Sequence, residues 1–433
     1  MKKVPIAVVG SAAVLAAVLF FIVIFNVQKV HNLFAELTTT QEQFQEPQEY
    51  IFDLNILENI LKTADTISSK RYATYFLSSE QKQLLTQIQK VSPGLHTVLQ
   101  ELAQGDHKWL FIFQNSNELR PTGGFMGSYA LLEIKDAKLI TITVEDIYDA
   151  DGQFTGFFPA PEGVSQYLSS GKGLRLPDAN WHPDTEKSAQ QILPFFAFGN
   201  KHNITGITFV TLDFAKELLA FLGPIELSDY NTIVTQDNID SVLRSRRADF
   251  FPGSTQKKHL LSLLLTQIRL KLLSLNIEQL NALFTLVAKQ TQTHALQFYS
   301  NNQAIDKVFT THNLRQVVAQ KETAEYLYLV ESNVGINKAN QHVERNVQIT
   351  KEGTTRTVTV NFSNTNLPPQ TSKLTTAALD TEDQNTTQVQ SKYHNSYSNY
   401  QRVLVPESWL LESVVFDQHT FADTDIAAET IDT

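Results

Sequence analysis

Trp109-Leu110-Phe111-Ile112-Phe113 leads through Gln114-Asn115-Ser116-Asn117 into Glu118-Leu119-Arg120-Pro121-Thr122-Gly123-Gly124-Phe125-Met126-Gly127. The apolar run reads as a strand, and the proline and paired glycines after it read as a turn. Glycines also let backbone N–H groups approach a ligand, and consecutive N–H groups form an anion-binding nest. Arginine adds a planar fork matched to phosphate or carboxylate. Two readings follow: an anion site built from Arg120, Gly123 and Gly124, or a strand–turn–strand connection whose arginine is a structural ion pair.

Working outward, Tyr129–Ile134, Leu139–Val144 and Gly206–Thr211 read as further strands. Asp213 opens a helix over Phe214–Leu222, and Pro183 with Asp184 and Glu186 marks another helix start. A longer helix is expected from about Gln256 to Leu275. This alternation predicts an α+β fold, an α/β sandwich, over residues 109–321. Residues 30–108 are polar and helical, with Leu54, Leu57 and Leu61, then Leu84, Leu85, Ile88 and Val91, at helical spacing. Pro93-Gly94 punctuates them, and they read as a helical stalk. From residue 322 to 433 the helix signals vanish. Tyr326–Val330, Val343–Ile349, Thr355–Phe362 and Tyr400–Val405 predict a β-sandwich-like domain, with a polar insertion near residues 363–399.

Lys2 and Lys3 precede an apolar stretch from Val4 to Val27. About 20 apolar residues cross a bilayer as a helix, and flanking lysines stay cytoplasmic. Residues 1–29 are therefore expected to be a transmembrane anchor, with the bulk of the chain extracytoplasmic. A cleaved signal peptide has a shorter apolar region and ends at a small-x-small site, which is missing here. The chain has 433 residues, net charge -10 and no cysteine. That excludes disulfides and Cys-ligated metals, and leaves no global basic field for nucleic acid. An anion site must be local.

Two other clusters could supply one. Arg244, Arg246 and Arg247 precede Gln256-Lys257-Lys258-His259. Lysines at a helix start are unfavourable unless an anion lies between them and the helix N-terminus. The alternative is a solvated charged face. Glu145-Asp146-Ile147-Tyr148-Asp149-Ala150-Asp151 is an acidic loop. Clustered carboxylates there suit Mg²⁺, and equally a plain polar turn. Asn180 and Trp181, before the helix start at Pro183, either line a cleft or pack. No pair of histidines has helical ligand spacing, and G-x-S-x-G and G-x-G-x-x-G are absent.

Gln114-Asn115 with Glu118–Phe125, Asp178-Ala179-Asn180-Trp181 with Pro183-Asp184, and Asn333-Val334-Gly335 with Asn337-Lys338-Ala339 and Val343-Glu344-Arg345 resemble three blocks of a bacterial family, domain of unknown function 4012. More distantly, the middle of the chain is similar to the LytR-CpsA-Psr ligases, which attach glycopolymers to the cell wall. Ile207–Leu222 and the spacing Arg244-x-Arg246-x-x-Asp249 before a long helix carry that likeness. It implies that Arg120, Arg244, Arg246 and Lys257 contact the pyrophosphate of a polyprenyl-linked glycan. Any transfer would need Mg²⁺ on Asp146 or Asp149, the candidate catalytic residues. The chain departs from the ligases at Phe125-Met126-Gly127-Ser128, where they carry an aspartate. The expected function is a cell-membrane-anchored envelope protein that binds an anionic lipid-linked glycan precursor or cell-wall polymer. The alternative is a structural or adhesive surface protein.

Overall fold

The apolar run that opens the reading lies in β2 (Asp106–Asn115), at the heart of a mixed sheet. The computed structural model describes residues 52–69, 75, 77–245, 256–318, 326–365, 397–416 and 419–421. The expected anchor lies outside them; among the described residues no helix is long and apolar enough to cross a membrane.

Six strands form the sheet in the order β1 (Phe52–Asp53), β4 (Lys138–Asp146), β3 (Phe125–Lys135), β2, β5 (Ile204–Thr211) and β8 (Leu296–Ser300). Only β2 and β5 run parallel; the other neighbours are antiparallel. Alternate residues of β2 serve opposite cores. Trp109 and Phe111 join one apolar cluster, Leu110 and Ile112 the other. A strand covered on both faces needs no polar alternation, which is why Trp109–Phe113 is continuously apolar.

One face packs α3 (Ile147–Asp151) and α4 (Thr185–Phe198) through Ile147, Ala150, Ile192, Phe195 and Phe196. The opposite face carries α1 (Asn55–Ser69), α2 (Ser79–Leu102), α5 (Leu212–Leu222), α7 (Gln256–Leu273), α8 (Ile277–Gln292) and α9 (Gln303–Thr311). The short α6 (Ile239–Ser245) precedes α7.

The stalk reading needs correction over α1 and α2. Their leucines and isoleucines are buried in the same cluster as Trp109 and Phe111, and β1 pairs with β4. Burying a large apolar side chain is worth roughly 1.5–3 kcal/mol, so stripes this full belong to a core and not to a spacer. Pro93-Gly94 does not interrupt α2, which runs through both, with Ser78 and Gln81 forming its capping box. Leu84, Ile88, Leu95 and Leu99 bury one stripe on either side of the proline, and this packing outweighs the lost hydrogen bond.

The C-terminal strands fall near their expected positions. β9 (Tyr328–Asn333) pairs with β12 (Asn399–Leu404), and β10 (Val343–Glu352) forms a hairpin with β11 (Thr355–Asn364). β13 (Val414–Phe416) pairs with β14 (His419–Phe421). Among the described residues these are separate two-stranded ladders, so the expected sandwich is not formed there. Most of the polar insertion lies outside the described residues.

Candidate functional site

Arg120 is only 2 % exposed, and its guanidinium is enclosed by protein acceptors. Its Nε donates to Asp178 Oδ1 at 2.9 Å, and Nη1 donates to the carbonyls of Asn333 at 2.7 Å and Leu119 at 3.1 Å. Nη2 faces Glu118 Oε1 at 3.4 Å. Glu118 in turn meets Lys338 Nζ at 3.2 Å. Two cations and two carboxylates thus form a buried, charge-balanced group. The anion-site reading of Arg120 is corrected: the fork is filled by the protein's own acids.

Gly123 and Gly124 have matching structural reasons. Gly123 sits at φ +122°, where a side chain is strained, and its N–H donates to Arg120 O at 2.8 Å. A Cβ on Gly124 would stand 2.5 Å from the Asn115 carbonyl group. Asn180, fully buried, donates from Nδ2 to Thr122 Oγ1 at 2.8 Å and Gly124 O at 2.9 Å. Trp181 is buried beneath Arg402, whose Cζ lies 5.3 Å from the ring centroid. Asn180 and Trp181 therefore brace the turn; they do not line a cleft. The strand–turn–strand reading holds, and the three resemblance blocks meet at this one junction. Leu119 O accepts from Asn333 N at 3.0 Å, and Leu119 N donates to Asn340 Oδ1 at 3.1 Å.

The acidic loop sits at a different place, the rim where β2, β4 and β5 end. Asn115 is opposite Phe125, Asp146 is opposite Ser128, and Gln114 is opposite Thr211. Asp146 caps α3, accepting from Tyr148 N at 3.1 Å. Asp151 is taken by Arg175, with Nη2 2.8 Å from Oδ2. Asp149 Oδ2 is 2.5 Å from Lys258 Nζ, in the first turn of α7. Among the described residues no group of three or more His, Asp or Glu is placed to hold a metal ion, so the Mg²⁺ expectation for Asp146 and Asp149 gains no support.

Beside this pair, Tyr129 on β3 stands opposite Glu145 on β4 and donates its hydroxyl proton to Glu145 Oε2. Lys201 Nζ donates to the same oxygen at 2.5 Å and to the Tyr129 hydroxyl at 2.6 Å. Burial, then the Glu145 hydrogen bond and charge, push the Tyr129 phenol far above its usual range. Burial alone would raise the Glu145 carboxyl. The hydrogen bonds from Lys201 and Tyr129, with the Lys201 and Lys258 charges, outweigh it and leave Glu145 below the usual range.

The basic segment is held at both ends. Asp240, on α6, accepts from Asn117 Nδ2 at 2.8 Å and Asn115 Nδ2 at 3.5 Å. That fixes the helix carrying Arg244 to the end of β2, while Lys258 is fixed to Asp149 after β4. The side chains of Arg244 and Lys257 and the whole of Arg246 lie outside the described residues. The sequence did not single out Lys201, Tyr129 or Asp240. The one usable signal was the pair of lysines opening a helix, which called for an anion close by.

A protein-family model described as a protein of unknown function (DUF4012) matches residues 104–247. The resemblance seen in the sequence is therefore shown, over the sheet strands β2 to β5 and the rim. No curated protein matches the chain. Among solved structures, the crystal structure of B. subtilis TagV matches at 12 % identity, covering 48 % of this chain and 96 % of that one, with a TM-score of 0.23. So loose a superposition carries no residue role from one chain to the other.

Proposed function

We propose that this is a membrane-anchored, extracytoplasmic protein of the cell envelope, and that its sheet rim binds the anionic headgroup of a lipid-linked glycan precursor. One observation carries the reading: both flanks of the basic segment, at Asp240 and Lys258, are fastened to the same rim. Ligands of open α/β sheets bind where strands end in this way. In a chain of net charge -10, an anionic ligand needs such a local concentration of cations. The apolar Val4–Val27 segment supports the anchor. Arg120 has no part in this site; Arg244, Lys257 and Lys258 are its expected contacts, with Arg246 between them in sequence.

The test is native mass spectrometry of the full chain purified from membranes, with thermal melts in farnesyl diphosphate. The expected result is a co-purified polyprenyl species and a raised melting temperature that Arg244→Ala abolishes. No lipid adduct and no shift with the diphosphate would remove the reading.

A second reading, a structural or adhesive surface protein, is favoured by the β10–β11 hairpin. Val347 and Ile349 on one face, and Asn346, Gln348, Thr357 and Thr359 on the other, are all exposed. It predicts protein partners, and no diphosphate effect, in the same preparations.

A further inference from the structure

α7 opens with Gln256-Lys257-Lys258 and has no acidic residue in its first turn. Cations at that end oppose the helix dipole and need an anion beside them. The anion in place is the protein's own Asp149, whose Oδ2 lies 2.5 Å from Lys258 Nζ. The pair is open to water, with the two side chains 28 % and 27 % exposed. It is also adjacent to a second pair. The Lys258 charge acts on Glu145, whose Oε2 is already held by Tyr129 and Lys201.

The two carboxylates are held differently. Glu145 is held by a hydroxyl and an ammonium from two other elements. Asp149 sits on the short α3, and its side chain has only the single ion pair to Lys258. Burying Glu145 favours keeping it where it is. Releasing Asp149 costs one water-exposed ion pair, worth little on its own.

We propose that Asp149 is a placeholder: it occupies the position of a ligand phosphate on Lys258, and an incoming phosphate or diphosphate group displaces it. The inference rests on the anion-binding reading of the rim. Lys258 then contacts the phosphate, and Glu145 with Lys201 forms the fixed wall of the site. The exchange is one of ion pairs, with no bond made or broken. Its consequence is that the empty rim stays electrically balanced and binds other anions poorly.

Titration calorimetry on the full chain, kept in mild detergent, tests this with inorganic pyrophosphate and with farnesyl diphosphate. Asp149→Asn should tighten binding of both probes by roughly fivefold, the value of losing one exposed competing charge. Lys258→Gln should abolish the gain in the Asp149→Asn background. A larger affinity for the prenyl probe than for pyrophosphate, in every variant, assigns the phosphate to a lipid headgroup; equal affinities assign it to a soluble phosphate. If the wild-type chain binds and Asp149→Asn binds equally or more weakly, the placeholder is wrong while the rim reading stands. If neither chain binds either probe, the rim reading itself fails. Retention of the gain without Lys258 would place the anion elsewhere and overturn the inference. Circular dichroism of each variant confirms that it is folded.

Discussion

Lys338 Nζ lies 3.2 Å from Glu118 Oε2, although 220 residues separate the two along the chain. With Arg120 and Asp178 this contact ties the turn after β2 to the segment after β9. The most distinctive residues of the sequence serve here to join two parts of the chain.

Arg120→Ala leaves Glu118 and Asp178 buried without their cation. Removing one partner of a buried pair costs roughly 3–5 kcal/mol, so chemical denaturation should show a loss of that order. Arg120→Lys should recover little, because an ammonium cannot reproduce the fork that reaches both Asp178 and the Asn333 carbonyl. Binding of farnesyl diphosphate by the fraction still folded should be unchanged. Loss of that binding would return Arg120 to the ligand site.

Gly124→Ala should destabilise more than Gly105→Ala. The first places a methyl group 2.5 Å from the Asn115 backbone, while the second meets nothing within 4 Å and suffers only its φ of +83°. Overpacking costs about 1–3 kcal/mol and a left-handed residue about 1–2 kcal/mol, so the separation is visible in urea midpoints.

Acid should weaken the fold in part through Glu145. Its folded-state carboxyl titrates below the usual range, so the unfolded chain takes up that proton first as the pH falls. The contribution is therefore complete above the ordinary glutamate value of about 4.3, and is lost as the pH drops through the lower folded value. Melting temperatures measured from pH 6 to pH 3 should fall less steeply in Glu145→Gln than in the wild-type chain. Parallel curves would rule out this coupling.

A chain begun at residue 104, where the family match starts, should not fold alone. It lacks α1 and α2, whose side chains cover Trp109, Phe111, Leu132 and Ile134. Limited proteolysis and near-ultraviolet circular dichroism should show an unstructured or aggregated product. A sharp cooperative melt would mean that these helices are dispensable.

Much of the architecture was legible because its signals are local. The strands around Trp109–Phe113, Tyr129–Ile134 and Gly206–Thr211, the helix after Asp213 and the cap at Asp184 all depend on residues a few places apart. The role of Arg120 was not legible. A guanidinium beside paired glycines looks the same whether its fork is filled by a ligand or by Asp178 and Asn333, which lie 58 and 213 residues away. The stalk reading failed for a related reason. An amphipathic stripe such as Leu57, Ile60, Leu61 and Ala64 records that a helix has an apolar side, but not which surface receives it. At the rim, Lys257-Lys258 carried the correct demand for an anion, while Asp149 was legible only as one acid among several.

The β10–β11 hairpin has a practical consequence for handling the protein. Ten residue pairs run in unbroken register, and Val347, Ile349 and Phe362 along one side remain wet. Lys351 and Arg356 face each other near the tip and put like charge at the end of that greasy strip. Neutralising them, as Lys351→Val with Arg356→Thr would, should leave the melting temperature almost untouched and appear instead as turbidity in concentrated samples, a colloidal defect in a properly folded molecule.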